Sequence, residues 1–520
     1  MHCRTIKKSF RQTVFALPIF ILVLSKALPL AAQPMPSWTH TYEAEEPNEF
    51  LAIIEAHGGW SFAGAASGEE AYWYGQIGHD GGLQWDTATD ADAHVSFHSI
   101  VSTSGGYVLG GDAYDSLFDG YHANDSASAD GVIASIDMSG NIRWAHCYGG
   151  SGNDVLSAVA KTYDGGYVLI GSTSSNDGDV QGYHEGTGYG TSYDVWVEKI
   201  DSIGNVVWER TLGGSGNDVG VGIAELTDHT LGAVATTQSS DGDVSHLIGS
   251  QDLWIINLDS NGNLLWQQTF GTPGNDLATG IAATPDGYMI VTGSVSDTGS
   301  AGVRNALWIA KMASGGFMFW QNDGREWNGY DPHAMAFTPD GNVLLGGRVL
   351  DQNNVQRTWI AKIDGTYGHE LWRNNYSFTT NSGQTSINPT INAIAPSMDG
   401  GFAVAGYSAF DTSGVDKGFV ARFQADHSLS ILTEETSSTD FQVFPIPASN
   451  QITMQYEATD ANPTQIRVYN GLGICVLHSD ELASRGINAV TLNVSSLPRG
   501  VYYMEITVDG SRESRAFVLQ

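Results

Sequence analysis

The chain has 520 residues, of which 63 are glycine and 14 are tryptophan, and its formal net charge is −34. So acidic a surface repels the phosphates of nucleic acid, which excludes nucleic-acid binding as its function. Apolar residues make up 41% of the chain, enough for a packed core, and the abundance of glycine and tryptophan favours turns and strands over helices.

Residues 1–32 are typical of a signal peptide. Three basic side chains at 7–11 precede an apolar run at 14–24, and small residues at 31–32 offer a cleavage site. No later run reaches the ~20 apolar residues of a membrane helix. We therefore expect an exported mature chain without a transmembrane segment.

A repeat occupies residues 33–432. GGSGNDV occurs at 149–155 and again at 213–219, and GTPGNDL follows at 271–277. The alignment is anchored by tryptophans spaced from 47 residues (38 to 85) to 64 residues (144 to 208), and a seventh unit would end with Leu432 in the tryptophan's place. These tryptophans are Trp38, Trp85, Trp144, Trp208, Trp266, Trp320 and Trp372. Repeats of this period indicate a propeller or solenoid.

Each unit contains four strand-like runs. In the third unit they are VLSAVAKT (155–162), YVLIGST (167–173), DVWVEKI (194–200) and NVVWERT (205–211). Short Asp-Gly and Asp-x-x-Gly turns join the first run to the second and the third to the fourth. Seven such units predict an all-β fold, a seven-bladed β-propeller in which the tryptophans pack between blades.

Closure of the ring allows two interpretations. The run SWTHTY at 37–42 matches the fourth-strand pattern. It either completes the last blade or lies beside SLSIL at 428–432, and the sequence does not distinguish the two.

The GGSGND stretch is interpreted first as a corner between one blade's fourth strand and the next blade's first strand. Its glycines permit a sharp turn, and its Asn-Asp pair can accept local backbone hydrogen bonds. Propeller topology puts these corners on the same face as the loops that follow each second strand.

Those loops are acidic in units two to four. Asp177 and Asp179 lie in unit three, near Tyr183-His184, and Asp241 and Asp243 lie in unit four, near His246. Oxygen ligands at D-x-D spacing suit calcium, which makes these four aspartates a candidate metal site. The other interpretation is that Asp-Gly is ordinary turn chemistry. No other cofactor is expected.

Enzyme motifs are absent from the sequence: it has no G-x-S-x-G elbow, H-E-x-x-H helix, Walker loop or C-x-x-C-H site. Cys147 follows His146, but the alignment gives it a strand position held by threonine in other units. A hydrolase with paired carboxylates stays open as an alternative.

The run D-x-x-G-x-x-x-W, as in Asp201 to Trp208, resembles the tryptophan-docking repeat of quinoprotein propellers. It is also similar to the Asp-box of sialidases, with longer spacing. Adjacent cysteines and a haem motif, frequent in such quinoproteins, do not occur in this chain.

A polar linker at 433–440 leads into residues 441–520, where six alternating runs predict a small C-terminal β-sandwich. The runs are FQVFPIPAS, QITMQYEA, TQIRVYNGLG, GINAVTLNVSSL, GVYYMEITVDG and SRAFVLQ.

This segment resembles the type A sorting domain of the type IX secretion system of Bacteroidetes. Three motifs carry the resemblance, and they contain Pro445, Pro447, Tyr469, Asn470, Gly473, Gly500 and Tyr502. Ile446 departs from the asparagine usual in the first motif. The resemblance implies passage across the outer membrane by that machinery, cleavage near the linker, and release or attachment to the cell surface.

The sequence therefore predicts a secreted or cell-surface propeller that binds a polysaccharide or a surface protein. The alternatives are a secreted carbohydrate-active hydrolase with carboxylates in the central channel and a structural surface scaffold.

Overall fold

A computed structural model shows two compact units, which divide between Asp426 and His427. It describes residues 34–42, 48–56, 58–66, 71–88, 95–114, 128–186, 192–297, 304–322, 327, 329–350, 356–379, 383, 385–409, 416–425, 441–444, 451–458, 463–470, 475–495, 497, 499–508 and 511–519. The signal peptide and the linker lie outside these residues.

The first unit consists of seven four-stranded antiparallel sheets, which form the blades of a propeller. The chain starts with β1 (Pro36–Tyr42). Blade one contains β2 (Asn48–Ala56), β3 (Gly59–Ala66), β4 (Ala71–Gly78) and β5 (Leu83–Ala88), and blade two contains β6 (Val95–Thr103), β7 (Gly106–Ala113), β8 (Asp130–Asp137) and β9 (Ile142–Tyr148). Blade three contains β10 (Asp154–Lys161), β11 (Tyr167–Thr173), β12 (Asp194–Ile200) and β13 (Val206–Leu212), and blade four contains β14 (Asp218–Glu225), β15 (Leu231–Thr237), β16 (Asp252–Leu258) and β17 (Leu264–Phe270).

Blade five contains β18 (Leu277–Ala283), β19 (Tyr288–Asp297), β20 (Arg304–Ala313) and β21 (Met318–Asn322), and blade six contains β22 (Tyr330–Phe337), β23 (Val343–Leu350), β24 (Gln356–Ile363) and β25 (Glu370–Tyr376). Blade seven contains β26 (Ile387–Pro396), β27 (Phe402–Ala409), β28 (Asp416–Phe423) and β1. The seven-bladed, all-β prediction is confirmed, and the four strands of blade three agree with the predicted runs to within one residue at each end.

The ring is closed by β1, which pairs antiparallel with β28 as the outermost strand of blade seven. Trp38 lies opposite Arg422, at the position that the anchoring tryptophan holds in other blades. Assigning Leu432 to that position was wrong, because the seventh tryptophan comes from the other end of the chain. Residues 428–432 lie outside the described part.

The anchoring tryptophans pack against the following blade. Five of them lie over the positive-φ glycine of the next blade's third-to-fourth hairpin, where a Cβ would come within 2.5–3.4 Å of the indole. The pairs are Trp85 with Gly140, Trp144 with Gly204, Trp208 with Gly262, Trp266 with Gly316, and Trp320 with Gly368. This contact explains why the repeat contains both residue types, and it confirms the tryptophans as packing anchors.

The hairpin that carries this glycine is fixed by the aspartate of the same repeat. Asp201 Oδ1 accepts hydrogen bonds from the backbone N–H groups of Ile203 and Asn205, both at 2.9 Å, and its Oδ2 accepts from Asn205 Nδ2 at 2.8 Å. The turn thereby satisfies its own donors and holds Gly204 at φ 92°, ready to receive the indole of Trp144.

The core lies between blades. Every residue of β12 and β16 is buried, because each third strand is covered on both sheet faces by neighbouring blades. The fourth strands form the outer rim and begin with exposed residues such as Val206 and Leu264.

The second unit is a β-sandwich. One sheet contains β29 (Phe441–Phe444), β30 (Gln451–Ala458) and β33 (Gly486–Asn493), and the other contains β31 (Pro463–Asn470), β32 (Cys475–Leu482), β34 (Gly500–Val508) and β35 (Ser511–Leu519). Strand β32 was not predicted, because it is an edge strand whose run contains four polar or charged residues in succession. Among the described residues, no helix of either unit is long and apolar enough to span a membrane.

Some residues of the predicted sorting motifs lie in the strands of the sandwich. Tyr469 and Asn470 end β31, Gly500 begins β34, and Tyr502 is buried in the core shared by the two sheets. Pro445, Pro447 and Gly473 lie outside the described residues.

Candidate functional site

Successive strands of each blade run in opposite directions, so their connections lie on two opposite faces of the propeller. The hairpin face carries the turns between first and second and between third and fourth strands. The corner face carries the inter-blade corners and the loops after the second strands, and it contains the four predicted metal-binding aspartates.

The corner between blades two and three is organised by a buried aspartate. Asp154, the first residue of β10, accepts hydrogen bonds from Gly150 N and from Ser175 Oγ, both at 2.7 Å, and from the Thr173 hydroxyl. One carboxylate thus ties the corner to the end of the second strand and to the loop that follows it.

The corner between blades three and four repeats this arrangement. Asp218 accepts from Gly214 N at 2.9 Å, from Ser239 Oγ at 2.7 Å and from the Thr237 hydroxyl. Burial raises the pKa of Asp218, and the three hydrogen bonds oppose that rise. The repeated heptapeptide therefore builds the same rigid corner twice.

Glycine is required where this corner starts. A Cβ at Gly213 would lie 2.6 Å from Asp194 Oδ1 and 2.7 Å from Asp218 Oδ2, so two buried carboxylates leave no room for a side chain. Burial raises the pKa of Asp194 to about 6, although His184 hydrogen-bonds to it.

The four predicted metal-binding residues are divided between the two corners. Asp177 Oδ1 accepts from Ser151 N at 2.7 Å, and Asp241 Oδ1 accepts from Ser215 N at 2.7 Å. Asp179 and Asp243 donate their backbone N–H groups to the first glycine of the same corners. The four side chains thus belong to two equivalent corners. In the described part of the chain no three His, Cys, Asp or Glu side chains are grouped for a metal ion, and calcium at these positions stays a prediction.

The loop of blade three reaches toward blade four. His184 donates its backbone N–H to Asp194 Oδ2 at 2.7 Å, and its Nδ1 lies 2.8 Å from the same oxygen. Hydrogen bonds from Ser215, and then the charge of His184, lower the pKa of Asp241. The two corners and the two loops after the second strands form one polar surface, which we call the blade 3–4 surface and define by residues 149–154, 174–186, 213–218 and 239–250.

The central channel is lined by the seven first strands. Each of them has a register shift that leaves one extra residue, and these residues are Leu51, His98, Ser157, Val221, Thr279, His333 and Asn392. Five of them line a cavity of about 250 Å³. The two histidines were not identified from the sequence, although the repeat alignment puts them at equivalent positions.

The channel histidines differ in their contacts: hydrogen bonds hold His98, whereas His333 lies beside a carboxylate. His98 Nε2 lies 2.7 Å from Ser96 Oγ, and its Nδ1 lies 3.2 Å from the Leu156 carbonyl. His333 Nε2 lies 3.5 Å from Asp331 Oδ2. Burial alone would raise the pKa of Asp331, but its contact with His333 and its hydrogen bond from Ser294 lower that pKa to about 2.

The described residues that line this cavity include two histidines and no Asp or Glu side chain. A glycosidase of the usual kind needs two carboxyl groups flanking the scissile bond. The described lining of this one cavity contains no such pair.

Cys147 lies in the packed core of the propeller. It is buried on β9 with its side chain in the core between blades one and two. This agrees with the strand position that the repeat alignment gave it.

Comparison with known proteins identifies the C-terminal unit. Residues 442–520 match the family model described as a secretion system C-terminal sorting domain. Such a domain directs type IX secretion to the cell surface or the extracellular space, which confirms the predicted localisation and implies interaction with that machinery. No curated protein matches the chain.

Solved structures similar to the chain include several enzymes. Quinohemoprotein alcohol dehydrogenase from Comamonas testosteroni is 11% identical over 80% of this chain and 79% of that one, with a TM-score of 0.41. Acylaminoacyl peptidase from Pyrococcus horikoshii is 8% identical over 80% of this chain and 59% of that one, with a TM-score of 0.40. Similarities this low carry no conclusion about activity.

Proposed function

We propose that this secreted propeller, exported through its C-terminal sorting domain, is a binding module for a neutral polysaccharide rich in hydroxyl groups. The observation that carries the proposal is the duplicated corner on the blade 3–4 surface. Asp177 and Asp241 occupy equivalent positions in neighbouring blades and make the same hydrogen bond at the same distance.

Duplication suits a ligand that itself repeats. A polymer chain presents the same sugar at a fixed interval, so two equivalent sites can be occupied by one molecule. The second contact is then intramolecular, which raises the overall affinity without requiring a tight single site.

Rigidity supports the same function. The loops after the second strands are fastened to the corners through buried Asp154 and Asp218. A surface that is ordered before binding loses less conformational entropy when the ligand arrives.

The negative charge of this surface favours a neutral polymer over an anionic one. Asp177 and Asp241 are exposed on a chain of net charge −34. Carboxylates accept hydrogen bonds from sugar hydroxyls, whereas a polyanionic glycan would be repelled.

The test uses the full chain on columns of insoluble β-glucan, xylan, mannan and chitin. We expect retention on at least one, and we expect Asp177→Asn combined with Asp241→Asn to weaken it about tenfold or more, because each charge-assisted hydrogen bond is worth about 1.5–3 kcal/mol.

The matched control combines Asp137→Asn with Asp259→Asn. Both residues are partly exposed, and each accepts a backbone N–H at 2.8 Å, but they lie on the hairpin face. Equal loss in both double variants, or no retention on any polymer, contradicts the proposal. Sugars released into the supernatant would favour the hydrolase alternative.

A further inference from the structure

Blade three contains a glutamate in a position where the fold does not need one. Glu198 lies on β12 with none of its surface exposed, and neither of its carboxylate oxygens has a hydrogen-bond partner in the described structure. An ionised carboxylate buried without a partner costs several kcal/mol.

A second carboxylate lies beside it. Glu209 on β13 is directly opposite Glu198 in the antiparallel register, so the two side chains are on the same face of the blade. Glu209 Oε2 is also buried without a partner. This cross-strand pair thus carries three unpartnered carboxylate oxygens on one face of the blade.

Asp179 adds negative charge from the adjoining loop. Burial, followed by repulsion from Asp179 and Glu209, holds the pKa of Glu198 well above its usual value. Burial also raises the pKa of Glu209. A backbone hydrogen bond from Gln181 and the charge of Arg210 offset part of the rise at Glu209, whereas no described neighbour offsets the negative charge of Glu198.

Among the described residues, none of the other six blades has this arrangement. The strand registers place buried apolar residues at the position of Glu198 in the other six blades, namely Gly75, Ala134, Ile256, Ala310, Ala361 and Ala421. Packing of the propeller is thus satisfied by alanine, and the glutamate of blade three is an addition to the common fold.

Glu209 also differs from its equivalents. In blades one and four, Asp86 and Gln267 accept the indole N–H of Trp73 at 3.1 Å and of Trp254 at 2.8 Å. The corresponding Trp196 Nε1 of blade three has no partner among the described residues. Glu209 therefore does not perform the hydrogen-bonding role of this position.

We infer that Glu198 and Glu209 bind a divalent cation of the calcium class between blades two and three. Calcium takes carboxylate oxygens in mono- or bidentate mode and completes its shell with water and backbone carbonyls, so two glutamates suffice as charged ligands. Their two negative charges balance the ion. Asp179 and Glu209 are partly exposed and provide the approach from solvent.

The test is thermal unfolding of the full chain in EDTA, in calcium and in magnesium. We expect a saturable rise in Tm with calcium, because a ligand that binds only the folded state stabilises it. Terbium provides a second readout, since Trp196 lies two residues from Glu198 on the same face and can sensitise its luminescence.

Glu198→Ala is the decisive variant, because alanine occupies this position in four other blades. We expect it to lose both the calcium-dependent Tm rise and the terbium signal while unfolding in EDTA at a Tm equal to or above that of the wild type. The control, Asp177→Asn with Asp241→Asn, is expected to keep the full calcium response.

Three results would overturn the inference. They are an unchanged wild-type Tm in both cations, a full calcium response in Glu198→Ala, and loss of the response only in the Asp177 and Asp241 variant. The last would place the cation in the corners. None of these readouts depends on polysaccharide binding, so this inference and the proposed function can fail separately.

Discussion

Docking of a tryptophan on the next blade's hairpin glycine can be tested at Gly262. This residue has φ 78°, and a Cβ would lie 2.8 Å from two indole carbons of Trp208. Trp208 cannot easily withdraw, because its Nε1 donates to the Ser260 carbonyl of the same hairpin at 3.1 Å. Gly262→Ala therefore meets both a backbone penalty and a steric one.

The two penalties can be separated with Gly341→Ala. Gly341 has φ 83°, and no heavy atom lies within 4 Å of its Cβ position. We expect this control to lose about 1–2 kcal/mol, the cost of a left-handed conformation for an L residue. Gly262→Ala should lose about 2–5 kcal/mol, since overpacking adds about 1–3 kcal/mol.

The assay is urea unfolding followed by tryptophan fluorescence. All 14 tryptophans lie at or before residue 372, so the signal reports the propeller alone. In a Trp208→Ala background, the cost of Gly262→Ala should fall to that of Gly341→Ala. Equal costs for the two glycines in the wild-type background, or an excess cost that persists without the indole, would refute the docking account.

Three other predictions concern the stability of the corner, the pH dependence of folding stability and the closure of the ring. Asp218→Ala should lower the free energy of unfolding in urea by about 3–5 kcal/mol, because it leaves buried donors unpaired. The control Asp259→Ala, in an exposed hairpin, should lower it by less than half as much. Similar losses in the two variants would argue against the corner as an anchor. Burial raises the pKa of Asp194 to about 6, so the folded state holds an extra proton between about pH 4 and 6, and stability falls as pH rises through that window. Asp194→Asn should remove this contribution from the pH dependence of Tm, and an unchanged slope would contradict the assignment. Deleting residues 36–42 should lower Tm and cause aggregation, because it exposes the edge of β28. A deletion variant with the same Tm as the full chain would show that β1 does not close the ring.

Local features of the fold were predictable from sequence. The strands of blade three and the turn from Asp201 to Asn205 follow from side-chain patterns that act over a few residues. Ring closure was not predictable, because β1 pairs with a strand about 385 residues away and any equivalent run could in principle fill the gap.

The candidate sites were predicted less well. The alignment correctly placed Asp177 and Asp241 in equivalent loops, but it could not show that buried Asp154 and Asp218 fasten those loops. The channel histidines were missed because a bulge changes which residues face inward. Glu198 was missed although its alignment column is otherwise apolar, and such an exception is a signal that sequence alone provides.

The most direct test of the account is hydrogen–deuterium exchange of the full chain with and without the polysaccharide that retains it. We predict slowed exchange in residues 174–186 and 239–250, the two loops of the blade 3–4 surface. Protection confined to hairpin-face turns such as 137–141 and 259–263, or no protection anywhere in the propeller, would contradict it.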